Sequence, residues 1–159
     1  MWDNEILIDK LFLSRKSERN FSNKIIDKSL IDILINVGNS APKAGGVNCI
    51  SIVPILDKKD ILFCYKATFY QESVKNAPLI FLVTTNKEKL NTIYKEPHLS
   101  NFLLQNASLA AMNIITACQL YGISTCYIGG LRYNYIEQFL NLSKEEKVII
   151  MLLVGYKSC

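Results

Sequence analysis

The sequence holds a single histidine, His98, and no CxxC or cysteine–histidine spacing accompanies it. Its five cysteines, Cys49, Cys64, Cys118, Cys126 and Cys159, form an odd set without ligand spacing. Neither a disulfide framework nor a zinc site is indicated, and reduced thiols in a cytoplasm fit best. A secretory leader is not indicated either, because Asp3, Glu5 and Asp9 stand where one needs positive charge and an apolar run. Concentrated charge of one sign is also missing. Eighteen Lys and Arg against fourteen Asp and Glu leave a net charge of +4, scattered among acidic neighbours. That gives nucleic-acid binding little support and leaves room for a small anionic ligand. No repeat, linker or low-complexity tract interrupts the chain. With 159 residues, 50% of them hydrophobic and 20% charged, it reads as one globular domain over residues 1–159.

The longest absence of charge runs from Leu99 to Leu131. Within it Ala107, Leu109, Ala110, Ala111, Met112, Ile114, Ile115, Ala117 and Leu120 predict a long helix packed on most sides, over about Asn101 to Tyr121. Gly122 follows where a helix end takes a left-handed residue. Ile123 to Ile128 then reads as a strand running into the Gly129-Gly130 turn. A membrane span is disfavoured, since Gln105, Asn106, Ser108, Asn113, Thr116 and Gln119 would place amides and hydroxyls in hydrocarbon. Burial against a sheet, and against a second copy of the chain through Ala107, Ala110 and Ala111, is the expected state.

Around that stretch the remaining elements fall in order. A short amphipathic segment ends near Ser14, before Arg15-Lys16-Ser17-Glu18-Arg19-Asn20-Phe21. If this run is helical, Arg15 and Arg19 share a face with the Ser17 hydroxyl nearby, a set suited to phosphate; a solvated basic turn is the alternative. Ser29 to Val37 predicts a helix ending at Gly38, followed by a small-residue loop from Asn39 to Asn48 that admits either a flat ligand or plain solvent. Ile50–Leu56 and Ile61–Tyr65 predict a hairpin about the Asp57-Lys58-Lys59-Asp60 turn. Lys66 to Lys75 is helical or irregular, and Leu79–Thr84 predicts a strand. Asn86–Glu96 reads as a polar connector or lid, Asn134–Leu140 as a short helix, and Lys147–Val154 as a core strand. His98, opening the buried helix, is read as structural, with a catalytic role as the alternative. The fold class is α+β.

Several pieces then line up. Arg15-Lys16-Ser17-x-Arg19-x-Phe21, Ala41-Pro42-x-Ala44-Gly45, Gln71 ahead of Ala77-Pro78, Gln105-Asn106 with Leu109-Ala110-Ala111, Tyr127-Ile128-Gly129-Gly130, and Val154-Gly155-Tyr156 together resemble the FMN-dependent nitroreductase family from Ser14 to Tyr156. The resemblance implies a mixed, mostly antiparallel central sheet flanked by helices, with the long helix buried at its centre. It also implies FMN as cofactor, NADH or NADPH as electron donor, a small-molecule acceptor and a homodimer, with no nucleic acid or membrane as partner.

By position, the resemblance assigns Arg15, Lys16 and Ser17 to the stretch holding the FMN phosphate and ribityl chain. On a helical reading Lys16 points away. Arg19 falls at the pyrimidine edge, where a fixed cation stabilises the charge of the reduced ring. Pro42, Lys43, Ala44 and Gly45 match the loop along the isoalloxazine, Gln71 a further contact, and Ile128, Gly129 and Gly130 the turn facing the hydride-accepting nitrogen. The resemblance designates no catalytic acid or base. Lys43 replaces the usual serine, and Pro42-x-Ala44-Gly45-Gly46 is closer to azoline dehydrogenases of peptide-modifying clusters. Azoline oxidation, with Lys66 and Tyr70 available for proton removal though poorly matched to that role, is thus a second enzymatic reading; flavin storage or partnering without turnover is a third. Relatives usually extend beyond Gly155-Tyr156 by a tail with a further phosphate ligand, and this chain is expected to lack it.

Overall fold

The computed structural model describes residues 4–158. Its centre is a four-stranded sheet of β1 (Ile50–Ile55), β2 (Leu79–Asn86), β3 (Ser124–Ile128) and β4 (Glu146–Gly155), in the order β1-β2-β4-β3. All three ladders are antiparallel. The inner strands β2 and β4 read as unbroken apolar runs because both faces are covered. A register shift at Val83/Thr84 leaves Ile149 as an extra residue on β4.

The helices divide between the two faces. On one, α2 (Lys28–Asn39) and α6 (His98–Leu120) bury Ile31, Leu34, Ala107, Ala111, Ile114 and Cys118 against Phe81, Val83, Ile150 and Leu152. The other carries α3 (Lys58–Ala67), α4 (Glu72–Lys75) and α7 (Tyr133–Phe139), whose Ile61, Cys64, Val74 and Ile136 meet Ile80, Leu82, Met151 and Leu153. Full burial of each such aliphatic side chain stabilises by roughly 1.5–3 kcal/mol. The remaining helices, α1 (Asn4–Ile8) and α5 (Lys87–Asn91), lie at the periphery, and a π-helical turn at Asp9–Leu13 joins α1 to the basic segment.

The α+β class and the long helix are as the sequence implies; four local readings need correction. Ile61–Tyr65 is helical, so there is no hairpin: Asp57 caps α3 by accepting from the Lys59 N–H at 2.7 Å, and Ile61, Cys64 and Ala67 bury at helical spacing. Gly38 lies inside α2, where an added Cβ would stand 2.4 Å from Ile52 Cδ1 and 2.9 Å from Ile114 Cδ1. This glycine sets helix–sheet approach, and α2 runs on to Asn39. Residues 15–19 are not helical, and Ser17 is bridged in parallel to Thr125. Finally, Ala107, Ala110 and Ala111 do not face a second copy: all three are fully buried within the chain itself. Leu104, Leu109, Met112 and Leu120 are 40–52% exposed along an uncharged outer stripe. Gly122 does end α6, at φ 66°. No helix among the described residues is long and apolar enough to cross a membrane.

Candidate functional site

β3 is the edge strand, and the basic segment runs beside it. The Glu18 N–H donates to Thr125 O at 2.9 Å, next to the Ser17–Thr125 bridge. Around that bridge the chain runs parallel to β3, with Arg15 and Glu18 half-buried and Lys16, Ser17 and Arg19 exposed; past Glu18 it turns away, Asn20 O accepting from the Ser158 N–H at 2.9 Å and the Ser22 N–H donating to Tyr156 O at 2.8 Å. Glu18 folds back to accept from the N–H groups of Asn20 (2.8 Å) and Arg19 (2.9 Å). The Asn20 bond in particular holds its carboxyl below the usual range. Both guanidiniums lie close enough to Cys126 to pull its thiol downward, though burial, the larger influence, pushes it up. Neither Arg15 nor Arg19 pairs with a carboxylate among the described residues.

At its far end β3 delivers Ile128, Gly129 and Gly130. Ile128 is buried, while the two glycines are exposed. Neither glycine adopts a positive φ; a Cβ on Gly129 would meet only Tyr127 Cε1 at 3.6 Å, and one on Gly130 nothing within 4 Å. The fold itself therefore has no need of glycine at these positions, in contrast to Gly38. The turn is anchored on both sides: Tyr133 Oη donates to Gly129 O at 2.5 Å, and the Arg132 N–H to Ala67 O at 2.8 Å. The second bond ties it to the α3–α4 corner, where Gln71 stands exposed at the head of α4. On that corner Phe69 and Tyr70 hold φ of 55° and 63°, a conformation costing aromatic residues about 1–3 kcal/mol each. Lys66 and Tyr70, weighed for proton removal, pack against different rings, Phe63 at 6.0 Å and Tyr65 at 5.3 Å.

The Pro42–Gly45 loop lies elsewhere. It leads into β1, at the opposite edge of the sheet from β3, three strand spacings or about 14 Å away. The Ala44 N–H donates to Asn106 Oδ1 at 3.0 Å, and Asn106 Nδ2 donates to Cys49 Sγ at 3.2 Å. Lys43 Nζ donates to the carbonyls of Asn39 and Ala41, and Pro42 is exposed. Gly45, at φ 58°, sits beneath Ile93 and Tyr94. One chain thus brings Arg15, Lys16, Ser17, Arg19, Gln71 and Ile128–Gly130 to one edge and leaves Pro42–Gly45 at the other.

Two residues with functional geometry lie outside the sequence-derived set. Asn106 was visible in the Gln105-Asn106 pair, but its grip on the Ala44 amide depends on a contact across 62 positions. Arg132 is the charge that ends the uncharged run, yet its seat on Phe69 and Tyr70 follows from backbone angles that no periodicity announces. His98 is exposed at the start of α6, 6.2 Å from the Phe102 ring, which in turn packs on Tyr94 beside Gly45.

The described side chains suit FMN in kind: two unpaired guanidiniums and a hydroxyl for phosphate, an amide for the ring edge, and a glycine turn with open space before it. Comparison with known proteins points the same way. The family model described as Nitroreductase family matches residues 55–156. The FMN reductase (NADPH) of Bacillus subtilis strain 168 is 23% identical over 138 residues, covering 76% of this chain and 53% of that protein. The chain therefore spans about half the length of the curated relative it matches. Among solved structures, nitroreductase A from Vibrio parahaemolyticus superposes with a TM-score of 0.86 at 21% identity, over 96% of this chain and 68% of that one. A nitroreductase family protein from Clostridium difficile 630 gives 0.82 at 21% identity, over 97% and 84%.

Proposed function

The chain belongs to the nitroreductase family, and from that premise we propose that it is an FMN-dependent oxidoreductase that takes hydride from NADH or NADPH and delivers it to a small-molecule acceptor of the quinone or nitroaromatic class. The observation that carries this reading is the diglycine turn. Gly129 and Gly130 have ordinary backbone angles and room for a side chain, so the folded chain alone gives no reason for them. Close approach of a flat ring does.

Bound FMN would supply the hydride chemistry. The chain's own contribution is binding, orientation and electrostatics. Arg15 and Ser17, in the segment beside β3, would hold the phosphate and the neighbouring chain of hydroxyls. Arg19, whose guanidinium like that of Arg15 lies near Cys126, would favour negative charge on the ring edge. Gln71 offers an amide from the α4 corner, and the backbone N–H groups of the turn can donate without a Cβ intervening.

The Pro42–Gly45 loop completes the site only if a second copy provides it, because within one chain it lies across the sheet from β3. We take the uncharged stripe of Leu104, Leu109, Met112 and Leu120 on α6 as the contact between copies. Pairing there would carry the loop of each protomer toward the β3 edge of its partner. Buried thiols at Cys49, Cys64, Cys118 and Cys126 suit a reducing, cytoplasmic setting.

Steady-state kinetics with NADH or NADPH against a quinone test the reading. Parallel double-reciprocal lines, the mark of two half-reactions sharing one site, together with a sedimenting species of twice 18.0 kDa, are the expected results. Intersecting lines, or a monomer with full activity, would contradict the shared-site and two-copy parts respectively.

A further inference from the structure

Arg132 follows Gly129 by three residues and is the first charge after Leu131. Its guanidinium carbon lies 4.8 Å from the Phe69 ring centre and 5.8 Å from that of Tyr70. Both rings are open to solvent, 60% and 54% exposed, and both residues hold positive φ. The Arg132 N–H bond to Ala67 O fixes the turn against this same corner. No carboxylate or carbonyl accepts from the guanidinium among the described residues.

The local charge is positive as well. Lys66 and Lys75 stand on the corner, over the Phe63 and Tyr65 rings, while the nearby carboxylate of Glu72 already accepts from Tyr65 Oη at 2.6 Å and lies 3.9 Å from Lys75 Nζ. Beside them Arg132, Tyr133, Asn134 and Tyr135 line an open hollow of about 380 Å³.

A guanidinium held by ring faces keeps its in-plane N–H groups free, and that fork matches a carboxylate in two-point contact. We propose that Arg132, seated on Phe69 and Tyr70, receives the carboxylate of a planar aromatic electron acceptor, so that the protein prefers anionic acceptors to neutral ones of the same shape. This rests on the function proposed above and names the substrate class for that site. Reach selects the acceptor over the dinucleotide. Three residues of backbone span at most about 10 Å, so a carboxylate on the ring being reduced at Gly129 falls within range. The 2′-phosphate of an extended NADPH, separated from the nicotinamide by two riboses and a diphosphate, does not.

The test uses 4-nitrobenzoate and its neutral isostere 4-nitrobenzamide. Calorimetric binding of each to the oxidised FMN-loaded protein, and kcat/KM for each, are measured in the wild type, Arg132→Gln, Arg132→Lys and Phe69→Ala. The benzoate should bind about tenfold tighter than the amide, as expected for a charge-assisted contact. Arg132→Gln should abolish that ratio, Arg132→Lys should keep part of it, and Phe69→Ala should reduce it, with unchanged kcat/KM for NADH and NADPH. An equal affinity for the two ligands in the wild type overturns the proposal, as does a ratio that survives Arg132→Gln. So does a fall in kcat/KM for both dinucleotides with the ratio unmoved. A purely structural strut would lower the melting temperature without changing the ratio. Flavin reduction by NADH or NADPH is followed on the same preparations: normal reduction without charge preference refutes this inference alone, whereas failure to take up FMN, with no charge preference, refutes the proposed function as well.

Discussion

Among the described residues Asn106 is the one buried polar side chain that ties the long helix to the Pro42–Gly45 loop, so its removal tests how that loop is held. It is 3% exposed, accepts from the Ala44 N–H at 3.0 Å and donates to Cys49 Sγ at 3.2 Å. Asn106→Ala orphans a partly buried backbone N–H, which costs about 1–2 kcal/mol. Lost packing of the amide group adds about 1 kcal/mol. The sum, about 2–3 kcal/mol, corresponds to a melting temperature lowered by about 4–10 °C for a chain of this size. Ser108→Ala is the control: its hydroxyl only returns to Leu104 O within the same helix, and the change should stay within about 0.5 kcal/mol. Urea denaturation and thermal melts of both variants supply the comparison, and FMN titration at a temperature where both are folded reports on the loop. If Asn106→Ala matches Ser108→Ala in stability, the tether does not hold the loop. If stability falls while FMN affinity is unchanged, the loop is held by Asn106 but is no part of the flavin site.

Other expectations follow from the same geometry. Arg15→Ala should weaken FMN binding by about 1.5–3 kcal/mol and Lys16→Ala by far less, because Arg15 is half-buried with its guanidinium near Cys126 of β3 whereas Lys16 is exposed; equal effects in a titration would refute the assignment. Gly155→Ala should destabilise by about 1–3 kcal/mol in chemical denaturation, since its Cβ would meet Pro78 Cδ at 2.7 Å and Phe21 Cδ1 at 2.8 Å, and the proline ring cannot swing away. Gly129→Val should leave the circular dichroism spectrum unchanged yet stop NAD(P)H-driven bleaching; a folded variant reduced at the normal rate would remove the turn from the site. Burial pushes the thiols of Cys64 and Cys118 up to about 12, so neither should react with a thiol reagent at neutral pH in the native protein, and prompt labelling of either would contradict their placement. Glu18, whose carboxyl is held low, should contribute stability at neutral pH that is lost as acid titrates the folded-state group; the gap between wild type and Glu18→Gln should close on acidification and fails as an expectation if it widens.

Much of the fold was legible where one signal dominated. The uncharged run from Leu99 to Leu131, divided by Gly122, reads as a packed helix and a strand, and Lys147–Val154 as an inner strand. The Ile61–Tyr65 stretch was misread because five β-prone residues after a charged turn carry the same local signal as a helix; what decides is Asp57 capping the Lys59 amide and the burial of Cys64 and Ala67. Gly38 misled for a related reason, since a glycine that permits close packing and one that ends a helix look alike in sequence. Of the candidate site, the residues that share the β3 edge were readable from motif order. That Pro42–Gly45 lies across the sheet was not readable, because strand order is set by pairings between distant segments. Arg132 and its aromatic seat depend on two positive φ angles at Phe69 and Tyr70, which neither composition nor spacing encodes.

Anaerobic titration of the FMN-loaded protein with NADH and with NADPH is the most direct measurement of the central claim. Loss of the oxidised flavin absorbance at one equivalent of at least one of them, and its return on adding a quinone, is the predicted result. A protein that takes up FMN but is not bleached by either nucleotide would contradict the assignment as an NAD(P)H oxidoreductase, and one that takes up no FMN would contradict the site itself.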